Sequence, residues 1–244
     1  MSLVVATYNV HDCIGRDGRY DPDRVLTVIR ELDADLIALQ ELQWEPEVAL
    51  DLLQHFASRL HYRAVPGPTL LRRNGHYGNA ILTRLPVRSI RRVDLSIPHR
   101  EPRAAIDLSV DSPCGPLRAI GTHLGLFPGE RRKQMTRLLN ILANAHPPAL
   151  LFGDLNEWFL WGRPLRWLRN HFGHIPDIAT YPSLFPLFAL DRIWVKPREL
   201  LAEIAAYSTP LARETSDHLP LRAVLKRPGS PSHPANLQSP PFQQ

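Results

Sequence analysis

The chain is short of cysteine, lysine and long apolar runs, and each shortage excludes something. The two cysteines, Cys13 and Cys114, lie in no metal-ligand or paired-thiol spacing. A disulfide framework is therefore not expected, and a reducing compartment is. No apolar run approaches the roughly 18 residues of a membrane span. A strand-like Leu3-Val4-Val5-Ala6 opens the chain at once, which leaves no room for a signal peptide. A cytoplasmic protein is expected, with no integral membrane association and no obligate protein partner. Lysine supplies only three of the 29 Lys and Arg residues, so the net charge of +5 rests on arginine. Guanidinium binds phosphate well, which permits an anionic partner. Genome composition also sets arginine usage, and net charge speaks to association rather than to fold.

What the chain has is a succession of short apolar runs ending in polar residues. Its 244 residues, 44% of them apolar, suffice for a substantial core. Leu3 to Tyr8 reads as a strand ending at Asn9, and Leu36 to Leu39 as a second ending at Gln40-Glu41. Asp21-Pro22-Asp23 predicts a helix start, with Val25, Ile29 and Leu32 at helical spacing. Val48, Leu52, Phe56 and Leu60 predict a helix after Pro46, and Tyr62 to Val65 a short strand broken by Pro66-Gly67-Pro68. Residues 72–78 read as loop and Asn79 to Leu82 as strand. Val87 to Leu95, Ala104 to Val110 and Leu117 to Thr122 read as further strands, the last ending at His123, with a hairpin over 111–116. Gly129 to Ala145 is the clearest helix, and Pro164 to Asn170 a short one. Leu190 to Val195, Ile204 to Tyr207 and Leu219 to Leu225 close the domain. Residues 228–244 hold five prolines and no apolar periodicity, which predicts a disordered tail. Many strands, a few helices and several hairpin-like links predict a mixed α/β (α+β) domain.

The densest signal is Gly153-Asp154-Leu155-Asn156, which follows the uncharged run Ala149 to Phe152. On an extended chain residues i and i+2 face one way, so Asp154 and Asn156 are expected to converge just past a buried strand. Oxygen ligands so placed suit a hard cation or a phosphate ester with its metal. Glu41 follows an apolar strand in the same manner. Asp217-His218 is either a turn or a ligand beside a proton-transfer group. Asp191 sits inside the strand-like Leu190-Asp191-Arg192-Ile193-Trp194 and needs a partner there, either an arginine or a histidine that it orients.

Together these stretches resemble the endonuclease/exonuclease/phosphatase superfamily. Seven match in the family's order: Thr7-Tyr8-Asn9, Leu39-Gln40-Glu41, Gly78-Asn79-Ala80, Thr122-His123-Leu124, Gly153 to Asn156, Leu190 to Ile193 and Ser216-Asp217-His218. The resemblance runs from about Leu3 to Leu225. It implies a four-layer sandwich of two packed mixed β-sheets flanked by helices, with a Mg²⁺ or Mn²⁺ site at one edge. The catalytic domain would span 1–227 and the tail 228–244. By this resemblance Glu41 is the principal metal ligand, with Asn9 beside it and Asp217 as a further metal-side carboxylate. Asp154 and Asn156 orient water and phosphate. His218, partnered by Asp191, and His123 contact the phosphate. Asn79 is a structural or phosphate-contacting amide. His11 and Arg103, the latter with Arg100 in a basic loop, are further candidate substrate contacts. The general base is Asp154 in the favoured assignment, with His218 as electrostatic partner; the reversed roles stay open.

The expected activity is metal-dependent hydrolysis of a phosphate ester, most simply a phosphodiester. Nucleic acid ranks first as substrate because of the arginine content. Phospholipid or a phosphorylated small molecule ranks second. Trp158, Phe159 and Trp161 with Arg163, Arg166 and Arg169 either line the mouth, stacking bases and holding phosphates, or pack the rim beside a solvated face. A catalytically dead binding module of the same fold is the contrary reading; no motif position is substituted, which speaks against it. Deleting 228–244 is expected to leave turnover unchanged, and a loss in a steady-state assay would assign the tail a role in the reaction.

Overall fold

The computed structural model describes residues 2–45, 51–72, 75–143 and 148–226. In chain order its elements are β1 (Ser2–Asn9), α1 (Pro22–Leu32), β2 (Leu36–Trp44), α2 (Leu52–Leu60), β3 (Arg63–Arg72), β4 (Gly75–Thr83), β5 (Val87–Asp94), β6 (Ala104–Ser112), β7 (Gly115–His123), α3 (Pro128–Ala143), β8 (Ala149–Asp154), α4 (Arg163–Phe172), β9 (Asp191–Lys196), β10 (Leu201–Ala206), α5 (Pro210–Thr215) and β11 (Leu221–Lys226). They form a six-stranded sheet in the order β10-β11-β1-β2-β4-β3 and a five-stranded sheet in the order β5-β6-β7-β8-β9. Both sheets are mixed. Each holds one parallel pair, β1 with β2 and β7 with β8, joined through a helix and flanked by antiparallel neighbours. Such crossovers put strand ends side by side at one edge, where sites gather in α/β sheets.

The alternation of β1 shows how the layers are specified. Leu3 and Val5 pack inward against the second sheet, with Ile106, Leu108, Ile120 and Phe152. Ala6 and Tyr8 pack outward, under α1 and α2, with Val25, Ile29 and Phe56. Period-two alternation therefore makes Thr7 and Asn9 inward-facing. On the far side, α3 and α4 contribute Met135, Leu138, Leu165 and Leu168 to the core of the five-stranded sheet. Asp21 caps α1 by accepting from the Arg24 N–H, with Pro22 at the first helical position.

Three expectations need correction. The run Pro66-Gly67-Pro68 does not end a strand, because β3 passes through it. β3 lies at the sheet edge, where an imino acid's missing N–H forfeits no ladder bond; Pro66 O points outward to Arg92 Nε at 2.7 Å. Residues 75–78 are strand rather than loop. β2 does not stop at Leu39 but runs on to Trp44. The helix expected from Val48 begins at Leu52, and Val48 lies outside the described residues, as does the expected tail. No helix among the described residues is long and apolar enough to cross a membrane.

Phe152 is fully buried and shares its strand face with Asp154, so it anchors the interior of the strand that delivers the carboxylate. Phe152→Ala is expected to cost about 3–5 kcal/mol, read as a lowered urea midpoint at unchanged slope.

Candidate active site

The site begins as a register row. His123 pairs with Asp154, and Asp154 with Asp191, across β7, β8 and β9. Residues in register share a sheet face, so three titratable side chains lie side by side at the strand ends. Gly153 is what lets β8 reach this row. Its φ is +145°, and a Cβ there would lie 1.8 Å from Thr122 O. The chain turns directly after Asp154: its Oδ1 accepts the Asn156 N–H at 2.8 Å, and Asn156 has φ +50°. Asp154 and Asn156 therefore converge through an Asx-type turn and not, as expected, along an extended chain.

The facing sheet supplies Asn9 and Glu41. Strict alternation along β2 would put Ala38 and Gln40 inward and Glu41 outward. A bulge prevents this: the register shifts between Leu39 and Leu42, so that Gln40 and Glu41 stand where β4 has only Asn79, and Glu41 has φ +55°. A two-against-one bulge re-aims a side chain, here turning Glu41 back toward Asn9. The Asn9 amide nitrogen then donates to Glu41 Oε1 at 3.0 Å and to Asp154 Oδ2 at 3.1 Å. Its oxygen accepts the His11 N–H at 3.1 Å. In this arrangement the Asn9 amide nitrogen positions two carboxylates from different sheets.

His218 follows α5 and enters from the side. Its Nδ1 lies 2.8 Å from Asp191 Oδ2, which also accepts the Thr180 hydroxyl at 2.6 Å. Its Nε2 faces Asp154 Oδ2 at 3.9 Å, and the ring stacks near Tyr181. Burial opposes protonation of His218, but the charge and hydrogen bond of Asp191, with Asp154 and Asp217 behind it, outweigh burial and raise its pKa to about 10. Burial raises Asp154 to about 6, with Asp191 adding and His218, Asn156 and Asn9 opposing. The pair is thus a cation facing a weakly basic carboxylate at neutral pH.

His123 completes the floor. Its Nδ1 meets Arg103 Nη1 at 2.9 Å, and the Asn156 amide closes against Nε2 at 3.0 Å. Burial, then the charges of Arg103 and His218, hold its pKa well below the ordinary value, so the ring is neutral. Nε2 stands 3.5 Å from Asp154 Oδ2 and 3.9 Å from Glu41 Oε1. Above this floor is a cleft of about 350 Å³ whose walls include Glu41, Arg103, Asp154, Asn156, Asp217 and His218. Three residues lie off the cleft wall, Asn79 in the structural role that was one of its two readings and His11 within 3.9 Å of Asp217 Oδ1. Asn79 spends its amide nitrogen on Ala104 O at 3.0 Å. The His11 ring leans on Ile14 O at 3.1 Å. Arg100 lies over the Phe127 ring at 3.8 Å. None of the three lines the cleft. Tyr77, Glu101 and Tyr181 do line it without having been expected there, and Thr180 holds Asp191 from behind. Of these only Tyr77 adjoins a matched stretch, Gly78-Asn79-Ala80.

The endonuclease/exonuclease/phosphatase family model matches residues 6–218, a span that contains every residue of this site. The chain belongs to that family. Family members are hydrolases that act on phosphate esters and generally depend on a divalent metal. The uncharacterized protein YbhP of Escherichia coli K12 is 29% identical over 247 aligned positions, covering 92% of this chain and 96% of that protein. Among solved structures, a family member from Beutenbergia cavernae superposes with a TM-score of 0.74 at 22% identity, covering 93% of this chain and 72% of that one. A mannosyl-6-phosphatase from Bacteroides thetaiotaomicron superposes with a TM-score of 0.75 at 16% identity, covering 92% and 100%. At these identities the two solved structures speak for the fold alone.

The donor set of this family member fits a hard divalent cation. Glu41, Asp154 and Asp217 are carboxylates on the cleft wall, and oxygen ligands select Mg²⁺ or Mn²⁺ over softer metals. Asp154, Asp191 and His218 also offer three ligand atoms within 4.8 Å of one another and could hold a metal. A cation there would compete with the proton that His218 Nδ1 and Asp191 Oδ2 already share.

Because folding raises the His218 pKa above its unfolded value of about 6.5, the pair with Asp191 stabilises the fold at neutral pH. That contribution fades as pH rises through about 10. In chelator-treated protein the His218 imidazole resonances should stay in the protonated position from pH 6 to pH 8 and titrate near 10. Asp191→Asn should bring that midpoint below 7, and an unchanged midpoint would remove Asp191 as its cause.

Proposed function

We propose that this protein is a divalent-metal-dependent phosphodiesterase. The observation that carries the reading is convergence: the Asn9 amide from one sheet holds Glu41 and the other sheet's Asp154 at 3.0 and 3.1 Å, with His218 Nε2 facing Asp154. Asp154 takes the proton of the attacking water; its raised pKa makes it a stronger base than a free aspartate. The His218 imidazolium binds a non-bridging phosphate oxygen and stabilises charge that grows in the transition state. Asp191 and Thr180 fix the orientation of His218. His123 and Asn156 form the neutral floor beneath the phosphate. A bound Mg²⁺ or Mn²⁺, with Glu41 and Asp217 as its carboxylate ligands, would supply Lewis-acid neutralisation of the phosphoryl oxygens.

Geometry shifts the expected order of substrates. Among the described residues two arginines line the cleft, and both are engaged: Arg103 with His123 and Glu101, Arg72 with Asp12 and the Tyr77 ring. Among the described residues the cleft presents no row of free guanidiniums to follow a nucleic-acid backbone. A small or lipid-borne phosphodiester suits it better. Phosphomonoester hydrolysis is a second reading, since a fold shared with a mannosyl-6-phosphatase accommodates it.

Turnover of bis(p-nitrophenyl) phosphate and of p-nitrophenyl phosphate, each with Mg²⁺ or Mn²⁺, tests this. The diester should be the better substrate, EDTA should stop the reaction, and added metal should restore it. Asp154→Asn and His218→Gln should each lower kcat/KM by about 10²–10⁴-fold. Full activity in chelator would remove the metal, and wild-type rates in both variants would remove the site.

A further inference from the structure

Large apolar side chains are not scattered over this surface. Of thirteen such side chains exposed among the described residues, ten lie in three loops: 124–127 after β7, 155–162 after β8, and the segment before β9. The loops are contiguous. The Trp158 ring meets Tyr181 and Phe188 edge-on, with centroids 5.6 and 4.9 Å away. Arg131 donates to Leu126 O at 2.6 Å while its other nitrogens bind Glu157. The most prominent tips are Trp161, Phe185 and Leu187, which are 73%, 71% and 73% exposed. A patch of this kind signals an interaction surface. Leu126 and Trp158 also line the active-site cleft, so the patch borders the catalytic opening.

Away from the acidic cleft, the free charge along these segments has one sign. Between residues 124 and 190 the carboxylates are Glu130, Asp154, Glu157 and Asp177. The first three are buried, and Asp177 is spent on Arg169 and Arg192. Arg132, Lys133, Arg163 and Arg166 are exposed and make no ion pair among the described residues. Arg132 and Arg163 share a small pocket of about 130 Å³ with Phe159 and Trp161, and Arg100 lies flat over Phe127. Apolar tips collared by unpaired cations match the boundary of an anionic bilayer, where aromatic and aliphatic groups enter the acyl region and arginines meet headgroups.

We infer that this face docks the catalytic cleft onto the surface of an anionic phospholipid bilayer. The leucines separate this occupant from nucleic acid: a base-stacking platform uses ring faces and cations, and Leu126, Leu160, Leu184 and Leu187 supply neither. The end of the described chain points elsewhere, since Lys226 pairs with Ser2, at the far end of β1 from Asn9. Docking brings headgroup phosphodiesters to the cleft mouth. That a lipid is also the substrate rests on the hydrolase reading above, whereas docking itself does not.

Flotation with vesicles of equal parts phosphatidylglycerol and phosphatidylcholine tests the inference. The full chain carrying Trp161→Ser and Leu187→Ser is compared with wild type, and turnover of soluble bis(p-nitrophenyl) phosphate is followed in parallel. Wild type should float with the vesicles. The double variant should bind at least about tenfold more weakly, from two lost apolar insertions, with its soluble turnover unchanged. Arg132→Glu with Arg163→Glu should weaken binding to these vesicles by a similar factor. Equal flotation of wild type and variants, or none by wild type, overturns the inference. So does an oligonucleotide that binds wild type and is lost in the Trp161/Leu187 variant, or a wild-type dimer that this variant converts to monomer. Vesicle binding without diester turnover would sink the hydrolase reading and leave docking standing; turnover without vesicle binding would do the reverse.

Discussion

One amide holds the site together. Asn9 Nδ2 is shared by Glu41 of its own sheet and Asp154 of the facing sheet. One donor thus ties a carboxylate of each sheet to a single point. The Asn9 carbonyl is in turn gripped by the Ser216 hydroxyl at 2.8 Å, two residues before His218. The loop that carries the imidazole is therefore indexed to the same residue as the two carboxylates. Parallel pairing of β1 with β2, the bulge in β2 and the row across β7, β8 and β9 all find their purpose in bringing groups to this amide.

The chemistry follows from how differently the neighbours of Asp154 are set. His218 is kept charged by Asp191, while His123 is kept neutral by burial and the Arg103 guanidinium. Two histidines within reach of one carboxylate thus hold different protonation states, and a phosphate would meet a cation on one side and a neutral ring on the other. Behind them, the buried Arg131–Glu157 pair joins α3 to the loop that leaves Asp154. That loop runs directly into the exposed Trp158 to Trp161. The cleft carboxylate and the exposed aromatic residues are thus nearly consecutive in the chain, on a loop tied to α3 by that pair.

Much of this was legible as apolar runs meeting polar residues. Asn9, His123 and Asp154 end strands in the sequence pattern and end them in the structure. The four layers followed from the family resemblance more than from periodicity. That Glu41 faces the cleft was not legible in the alternation, because a period-two pattern cannot show a bulge that sends two consecutive side chains inward. The prolines of β3 misled because an edge strand tolerates them and edge position is a property of the whole sheet. The Asn9 bridge between Glu41 and Asp154, the Thr180 contact to Asp191 and the Arg131–Glu157 pair all depend on partners distant in sequence. Arginine content suggested nucleic acid, and only the structure shows that the arginines of the cleft are already engaged and that the free ones border an apolar face.

The central claim is that the Asn9 amide acts through Asp154. A double-mutant cycle of Asn9→Ala and Asp154→Asn on diester turnover tests it most directly. If the amide works by setting that carboxylate, each single change lowers kcat/KM and the double variant is scarcely worse than Asp154→Asn alone. Fully additive losses would contradict the account, because Asn9 would then contribute by a route that does not pass through Asp154.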